Sequence, residues 1–530
     1  MLSETRARRC RESARQNLAG NPELSLQNSL RLLDAGLHDP DVLALASNAM
    51  VRLRRFVQAA PLLAQLREVA PSIAVYQQLI DCYTALADSS ALAALCEDVL
   101  ALDNSPIEVL QLQLRLLNTL SRHADCIPLC QSLLELAPRE PEYWCMLGWH
   151  QQGCGQLEQA ADSYRRALQI DPDNIRAHYA LSQVDKARPD GPHLAALGRS
   201  LDAVPEARWN DRASLHSAMG KECEDLGEYE RAFRHFKASA DLMHDHSRYS
   251  AAADQRVLSA AGNWVEARLR AGSATGWHDD RPIFIVGLPR TGSTLLDRML
   301  SSHSEVGAAG ELLSFRAAVQ ELAGGSSRGD FFEHFFEQQS LQLDFQGIGR
   351  RYVELSRAAA GGCRHYTDKM PMNDFLLGLI ALALPNARFL HTVRNPMDSC
   401  FSVFKQLFGR NYYNYSYDLS SVAQHYAYYR QLMKRWHDYF PGRILDVHYE
   451  DMVADPRRQM QRVLQHCGLE WQEECLEFHR NAAAVDTASS AQVRQPLYSS
   501  SVQKWRHYRP WLQPLIEALG EAGIDMSEVV

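Results

Sequence analysis

Residues 282–303 read PIFIVGLPRTGSTLLDRMLSSH, and no other stretch of the chain leaves so few ways to fold. Ile283, Phe284, Ile285 and Val286 form an uninterrupted run of β-formers, the pattern of a strand buried on both faces. Gly287 stops the run. Residues 288–294 then make a small, polar, Gly-containing turn, and Leu295, Leu296, Met299 and Leu300 return at helical spacing. Strand, short loop and helix in this order bring backbone N–H groups together at a helix N-terminus, where a phosphate-sized anion is held.

The loop is close to the P-loop pattern G-x-x-x-x-G-K-[ST], reading Gly287-Leu-Pro-Arg-Thr-Gly292-Ser293-Thr294. Ser293 stands where the pattern has its lysine, and a cation appears earlier, at Arg290. That lysine serves β- and γ-phosphates, and the Ser/Thr after it holds Mg²⁺. Its loss argues against ordinary nucleoside triphosphate chemistry. What remains suits a single 5′-phosphate or phosphosulfate with an arginine leaning over it. A tight glycine turn with no ligand is the alternative that the pattern alone leaves open.

At 530 residues the chain should hold two or three domains, each able to bury a core. A net charge of −9 with interspersed signs excludes a broad nucleic-acid field. The 12 cysteines lie scattered without a C-x-x-C pair, so reduced core thiols are expected; Cys126 and Cys130 alone share a helix face. The charged N-terminus lacks the apolar stretch of a secretory signal, and the run from Phe375 to Leu384 is too short to span a bilayer. The expectation is a cytoplasmic protein with no membrane span.

From about residue 15 to 260 the chain is rich in Leu and Ala, with apolar positions three and four apart. A repeat shows most clearly at 141–174, where Trp144, Leu147, Gly148, Ala160, Tyr164, Ala167 and Pro172 take the spacings of the 34-residue tetratricopeptide repeat. Pro138 precedes Pro172 by one period, Asn104 precedes Pro138 by another, and Pro71 stands near a third. Met219, Gly220, Gly227, Tyr229, Ala232 and Phe236 repeat part of the pattern. An all-α solenoid follows, with a concave surface for a peptide or another domain, or else a rigid spacer or oligomerisation arm. Helical periodicity is lost over 268–280. The domain boundaries expected are 1–265 for the repeats, 266–281 for a linker and 282–530 for the second domain.

Beyond the linker, short strands alternate with helices, as in an α/β parallel sheet. A short strand ends in HYTDKMP (365–371), a helix covers 373–383, a strand covers 388–393 and another 444–447. Ligands of open parallel sheets bind at the carboxyl ends of strands. Arg290, Lys369, Arg394 and Tyr449 all follow strands and should line one crevice.

The blocks PIFIVGLPRTGSTL, the Glu of AAGE, TDKMP, PNARFLHTVRNPMDSCFS, VHYEDMVADP and SSAQVRQPLYSSSVQKW occur in order. Through them residues 282–510 resemble the phosphoadenosine-phosphosulfate-dependent sulfotransferases, above all the protein-tyrosine sulfotransferase branch. The whole chain is similar to tetratricopeptide-repeat sulfotransferases. The resemblance implies a P-loop-like α/β sulfotransferase domain that takes 3′-phosphoadenosine-5′-phosphosulfate as donor, needs no metal, and acts on a hydroxyl acceptor, a protein or peptide tyrosine or a small molecule.

The resemblance also assigns roles. Arg290, Thr291, Gly292, Ser293, Thr294 and Leu295 match the 5′-phosphosulfate loop, Arg394 and Ser402 the grip on the 3′-phosphate, and Tyr449, Ser489 and Lys504 further donor contacts. Glu311 matches the general base and Lys369 the cation on the bridging oxygen. Arg290 should steady the sulfuryl oxygens, and Ser489 assist at the leaving group. Lys405 is a possible extra cation. The tyrosines 412, 413, 415 and 417 read as a packing patch or lid, and His303, His365, His391 and His448 lack metal-ligand spacing. Two rival functions remain: a kinase using the same loop, against which the absent lysine counts, and a repeat scaffold that binds nucleotide without catalysis.

Overall fold

Helix follows helix from Glu4 to Ala271. The structure, a computed structural model, describes residues 3–103, 106–272, 275–323, 335–336, 343–408, 411–481, 483 and 492–525. Short polar residues start many of these helices. Asn21, Asp39, Ser72, Asp88, Asn174 and Ser250 each accept a hydrogen bond from a backbone N–H of the first turn, and proline follows at Pro22 and Pro40.

The clearest repeat forms the helices Pro141–Gly153 and Leu157–Ile170, with Pro172 just past the second. A Cβ on Gly148 would sit 2.7 Å from the Tyr164 ring, so only glycine lets the two helices approach this closely. The 34-residue period also shows on the surface, where Arg115 pairs with Asp81 and Arg176 with Glu142. Pro71 and Pro138 follow the helices Phe56–Val69 and His123–Leu136. Asn104 lies outside the described residues. Cys126 and Cys130 are buried on one face of His123–Leu136, and burial pushes the Cys130 thiol up to about 12.

The chain packs as two compact units, residues 1–122 with 312–359, and residues 123–311 with 360–530. In the first, Ser89 donates to the Leu355 carbonyl (2.6 Å), and Phe315 meets Tyr352 edge to face.

The second unit holds the sheet. Its strands are β1 (Pro282–Val286), β2 (Val306–Ala308), β3 (His365–Asp368), β4 (Arg388–Val393) and β5 (Ile444–His448). Their order is β2-β3-β1-β4-β5, parallel throughout. The apolar run of 283–286 therefore lies in the middle, buried along its whole length. Ile283, Ile285, Leu390 and Val447 pack against the helices Ser293–Leu300 and Pro456–Cys467. Phe284 and Phe389 stack 5.5 Å apart on the other face. That side carries the helices Asn373–Ala383 and Leu419–Tyr439, joined where Trp436 donates to the Asp374 carbonyl.

Two expected elements, the strand at 388–393 and the helix at 373–383, have the bounds read from sequence. Strand β2 is an addition. Three residues with a central glycine give no β-forming run to read, and pairing with β3 alone makes the strand. The last repeat helix, Ala251–Ala271, runs along Leu419–Tyr439, where Arg435 donates to Asn263 (2.9 Å) and Glu266 (3.1 Å). Among the described residues no helix is long and apolar enough to cross a membrane.

Candidate active site

The loop between β1 and Ser293–Leu300 turns through two left-handed residues, Arg290 (φ 68°) and Gly292 (φ 95°). A Cβ at Gly292 would meet the Tyr449 ring at 2.5 Å, which fixes glycine there on steric grounds as well. Arg290 holds a conformation that side-chain-bearing residues rarely adopt, a local strain of the kind found at ligand clamps. Burial, and next the like charge of Arg394, lower its pKa from the usual value. Thr291 faces inward: its hydroxyl donates to the Leu288 carbonyl (2.7 Å) and lies 2.7 Å from the Thr392 hydroxyl.

Beside the loop stands Arg394, directly after β4. It donates to the Arg290 carbonyl (2.9 Å) and to Ser501, and lies over the Tyr449 ring. Its Nε is buried and finds no hydrogen-bond partner among the described residues. Asn395 caps the next helix, Pro396–Phe404, by accepting from the N–H groups of Met397 and Asp398. Buried Asp398 then takes the N–H groups of Gln503 (2.6 Å) and Trp505 (3.2 Å), drawing the C-terminal segment over the site. Tyr449 Oη and Ser501 Oγ lie 2.5 Å apart.

Arg290, Gly292, Ser293, Thr294, Leu295, Arg394, Ser402, Tyr449 and Lys504 line one crevice of about 400 Å³. Thr291 is not on its wall. Its far side comes from the repeat helices, through Tyr179, Lys221, Glu224 and Phe236. Glu224, on the helix Trp209–Asp225, accepts hydrogen bonds from Lys405 (2.6 Å), Lys504 (2.7 Å) and Tyr508 (2.7 Å). Burial raises its pKa, but the two lysines outweigh burial and hold the carboxyl well below its usual range. Burial brings Lys405 down to about 8 against the opposing pull of Glu224.

Glu311 and Lys369 form a second cluster at the ends of β2 and β3. Lys369 Nζ donates to Glu311 Oε1 (2.5 Å), and its backbone N–H donates to Gly310. The lysine side chain is 3% exposed and the glutamate 34%, so the carboxylate is the half that meets solvent. Neither lines the crevice of Arg394, so Lys369 departs from the expected grouping of strand-end cations. Close by, buried Asp297 accepts from Thr367 (2.5 Å), and burial raises its pKa. Ser489 lies outside the described residues.

Asp398, Ser501 and Glu224 escape a reading of the sequence. An Asp in a first turn looks like any helix-start carboxylate, and Glu224 sits among the ordinary acids of ECEDLGE. Of the tyrosine patch, Tyr415 stacks on His425 at 3.6 Å and Tyr417 donates to the Phe408 carbonyl, both packing contacts; the Tyr412 side chain lies outside the described residues. Among the described residues one cluster has the makings of a metal site, His391, His437 and Asp446 on the sheet face away from the loop. There Asp446 Oδ1 accepts from His391 (2.7 Å) and His437 (2.9 Å).

A parallel sheet whose central strand enters an anion loop, set behind helical repeats, is the architecture of a sulfotransferase-like domain joined to tetratricopeptide helices. Residues 282–473 match the model of the Sulfotransferase family, and residues 154–184 match that of the TPR repeat. The chain is 29% identical over 378 residues to an uncharacterized protein of Aquifex aeolicus, covering 69% of this chain and 48% of that one. It is 27% identical over 252 residues to the protein-tyrosine sulfotransferase of Drosophila melanogaster, covering 42% and 46%. The chain thus spans about half the length of these relatives. The sulfotransferase domain of the Synechococcus PCC 7002 olefin synthase aligns at 21% identity and a TM-score of 0.31, over 44% of this chain and 89% of that one. The chain resembles a tetratricopeptide-repeat sulfotransferase, with protein-tyrosine sulfotransferases among its relatives.

Proposed function

We propose that the chain transfers a sulfuryl group from 3′-phosphoadenosine-5′-phosphosulfate to a hydroxyl acceptor, with a protein or peptide tyrosine as the favoured class. The observation that carries this reading is the crevice. Arginines and loop residues from the ends of β1 and β4, with Tyr449 after β5, line one cavity, as a doubly phosphorylated nucleotide requires. The buried Arg394 Nε, unpartnered among the described residues, and the glycine cradle under Tyr449 fit that donor. In this reading residues 1–265 are the repeat domain, 266–281 the linker and 282–530 the transferase.

The 5′-phosphosulfate lies on the amides of 290–295 with Ser293 and Thr294, and Arg394 and Ser402 take the 3′-phosphate. Tyr449 and Lys504 complete the donor site, and Ser489 assists the leaving group. The acceptor oxygen attacks sulfur in line and gives its proton to Glu311. The bond from sulfur to the bridging oxygen breaks, and 3′,5′-bisphosphoadenosine leaves with that oxygen. Lys369, hydrogen-bonded to Glu311 at the ends of β2 and β3, is assigned the bridging oxygen, and Arg290 the sulfuryl oxygens. Charge stabilisation and alignment carry such transfers. Support also comes from the sulfotransferase-family match over 282–473.

The test is transfer of radiolabel from the phosphosulfate donor to a tyrosine peptide. The substitution Glu311→Gln should slow it about 10²–10³-fold, the range for a positioned base or donor. A Glu311→Gln variant working at the wild-type rate would remove Glu311 from the chemistry.

A further inference from the structure

Glu224 comes from a repeat helix, yet its carboxylate lies inside the crevice, 7% exposed, between Lys405 and Lys504. Its own helix gives no reason for a carboxylate there. The residue stands one place before the end of Trp209–Asp225, where the helix dipole disfavours negative charge. The lysines are the reason. Lys405 is 15% exposed and Lys504 38%, and both line the cavity together with Arg394 and Ser402. A buried ammonium needs a counter-anion or it loses its proton. One carboxylate between two lysines leaves this trio with one positive charge in excess, a sink for a further anion.

We propose that Glu224 is a specificity-determining residue of the donor site, a resident counter-anion at the lysines that the donor's 3′-phosphate engages. This rests on the reading of the crevice as a phosphoadenosine-phosphosulfate site. In the empty crevice Glu224 keeps Lys405 and Lys504 charged and placed. When a 3′-phosphate arrives, the lysines turn part of their hydrogen bonding from carboxylate to phosphate, and Glu224 opposes the new anion at close range. The repeat helix thereby sets how strongly the 3′-phosphate is preferred, and nucleotide occupancy is felt by Trp209–Asp225.

The test compares adenosine 3′,5′-bisphosphate with adenosine 5′-phosphate by calorimetry on the full chain. Glu224→Gln keeps the shape and removes the charge. It should shift the preference for the bisphosphate about tenfold, because the charge that both repels the 3′-phosphate and keeps the lysines protonated is gone. A merely structural glutamate would shift both nucleotides alike and leave their ratio unchanged, which would overturn the proposal. Lys504→Gln, at the more exposed lysine, provides the second arm: it should shrink the same ratio, and a ratio that stays put would overturn the proposal equally. A wild-type protein that binds neither nucleotide fails the donor-site reading itself and takes this inference with it. Wild-type binding with an unmoved ratio in the variants fails the inference alone.

Discussion

Two hairpins of the repeat region are built alike and do different work. In the helices Pro141–Gly153 and Leu157–Ile170, Gly148 lies under Tyr164; in Trp209–Asp225 and Tyr229–His246, Gly220 lies under Phe236 at the same offset, with a Cβ position 2.6 Å from the ring. Four residues after each glycine stands the residue one turn on. In the first hairpin it is Gln152, which accepts from the Tyr164 hydroxyl (3.3 Å). In the second it is Glu224, and Phe236 has no hydroxyl to offer. The carboxylate instead takes Lys405, Lys504 and Tyr508. A repeat position satisfied within its own hairpin stays scaffold, while one left without a local donor becomes available to a neighbouring domain. Repeat architecture fixes backbone and close packing, and its surface positions can take up new work.

Charge reversal breaks this comparison hardest. Glu224→Lys would crowd three ammonium groups into a buried site and should cost about 3–5 kcal/mol of stability, the range for an uncompensated buried charge. Gln152→Lys, at the matching position on a half-exposed face, should stay within about 0.5 kcal/mol. Urea unfolding of both proteins measures the contrast, and equal losses would deny that the two positions differ.

The glycines come next. Gly148→Ala and Gly220→Ala each drive a methyl group into an aromatic ring, and each should cost about 1–3 kcal/mol by overpacking. Their stability effects should match. Only the second should disturb bisphosphate binding, because shifting Phe236 moves a residue that lines the crevice. Calorimetry showing both variants with wild-type affinity would mean that the second hairpin does not shape the cavity.

Legibility follows the same division. Strand β1, its loop and Arg394 can be read because a buried central strand and an anion turn permit few residue types, and those types stand next to each other. The Thr291 hydroxyl reads as a donor contact, but the small loop turns it inward onto Leu288. Strand β2 exists through its neighbour rather than its own residues. Glu224 meets Lys405 across 181 positions and Lys504 across 280, and no local pattern records such a meeting. Arg394 and Asp398 are one helical turn apart, yet only folding shows that Asp398 receives the chain at Gln503 and Trp505.

The smallest expected effect is one of pH. Burial lowers Lys405 to about 8, with Glu224 pulling it up and Lys504 and Arg290 pushing it down. Its unfolded value is the ordinary 10.5, so between these limits the folded chain binds fewer protons than the unfolded chain. For this group stability therefore rises with pH across that window, while the crevice loses a cation. Bisphosphate affinity should accordingly fall by roughly tenfold or less between about pH 7 and pH 9, one screened charge being worth no more than that. Bound phosphate favours the charged lysine, so the fall should begin near the empty protein's value of about 8 and level off only above it. Adenosine 5′-phosphate, lacking the group that meets Lys405, should show a weaker dependence. Titrations across this pH range separate these outcomes; a bisphosphate affinity that stays flat would place the 3′-phosphate away from Lys405 and leave Glu224 with no part in choosing the donor.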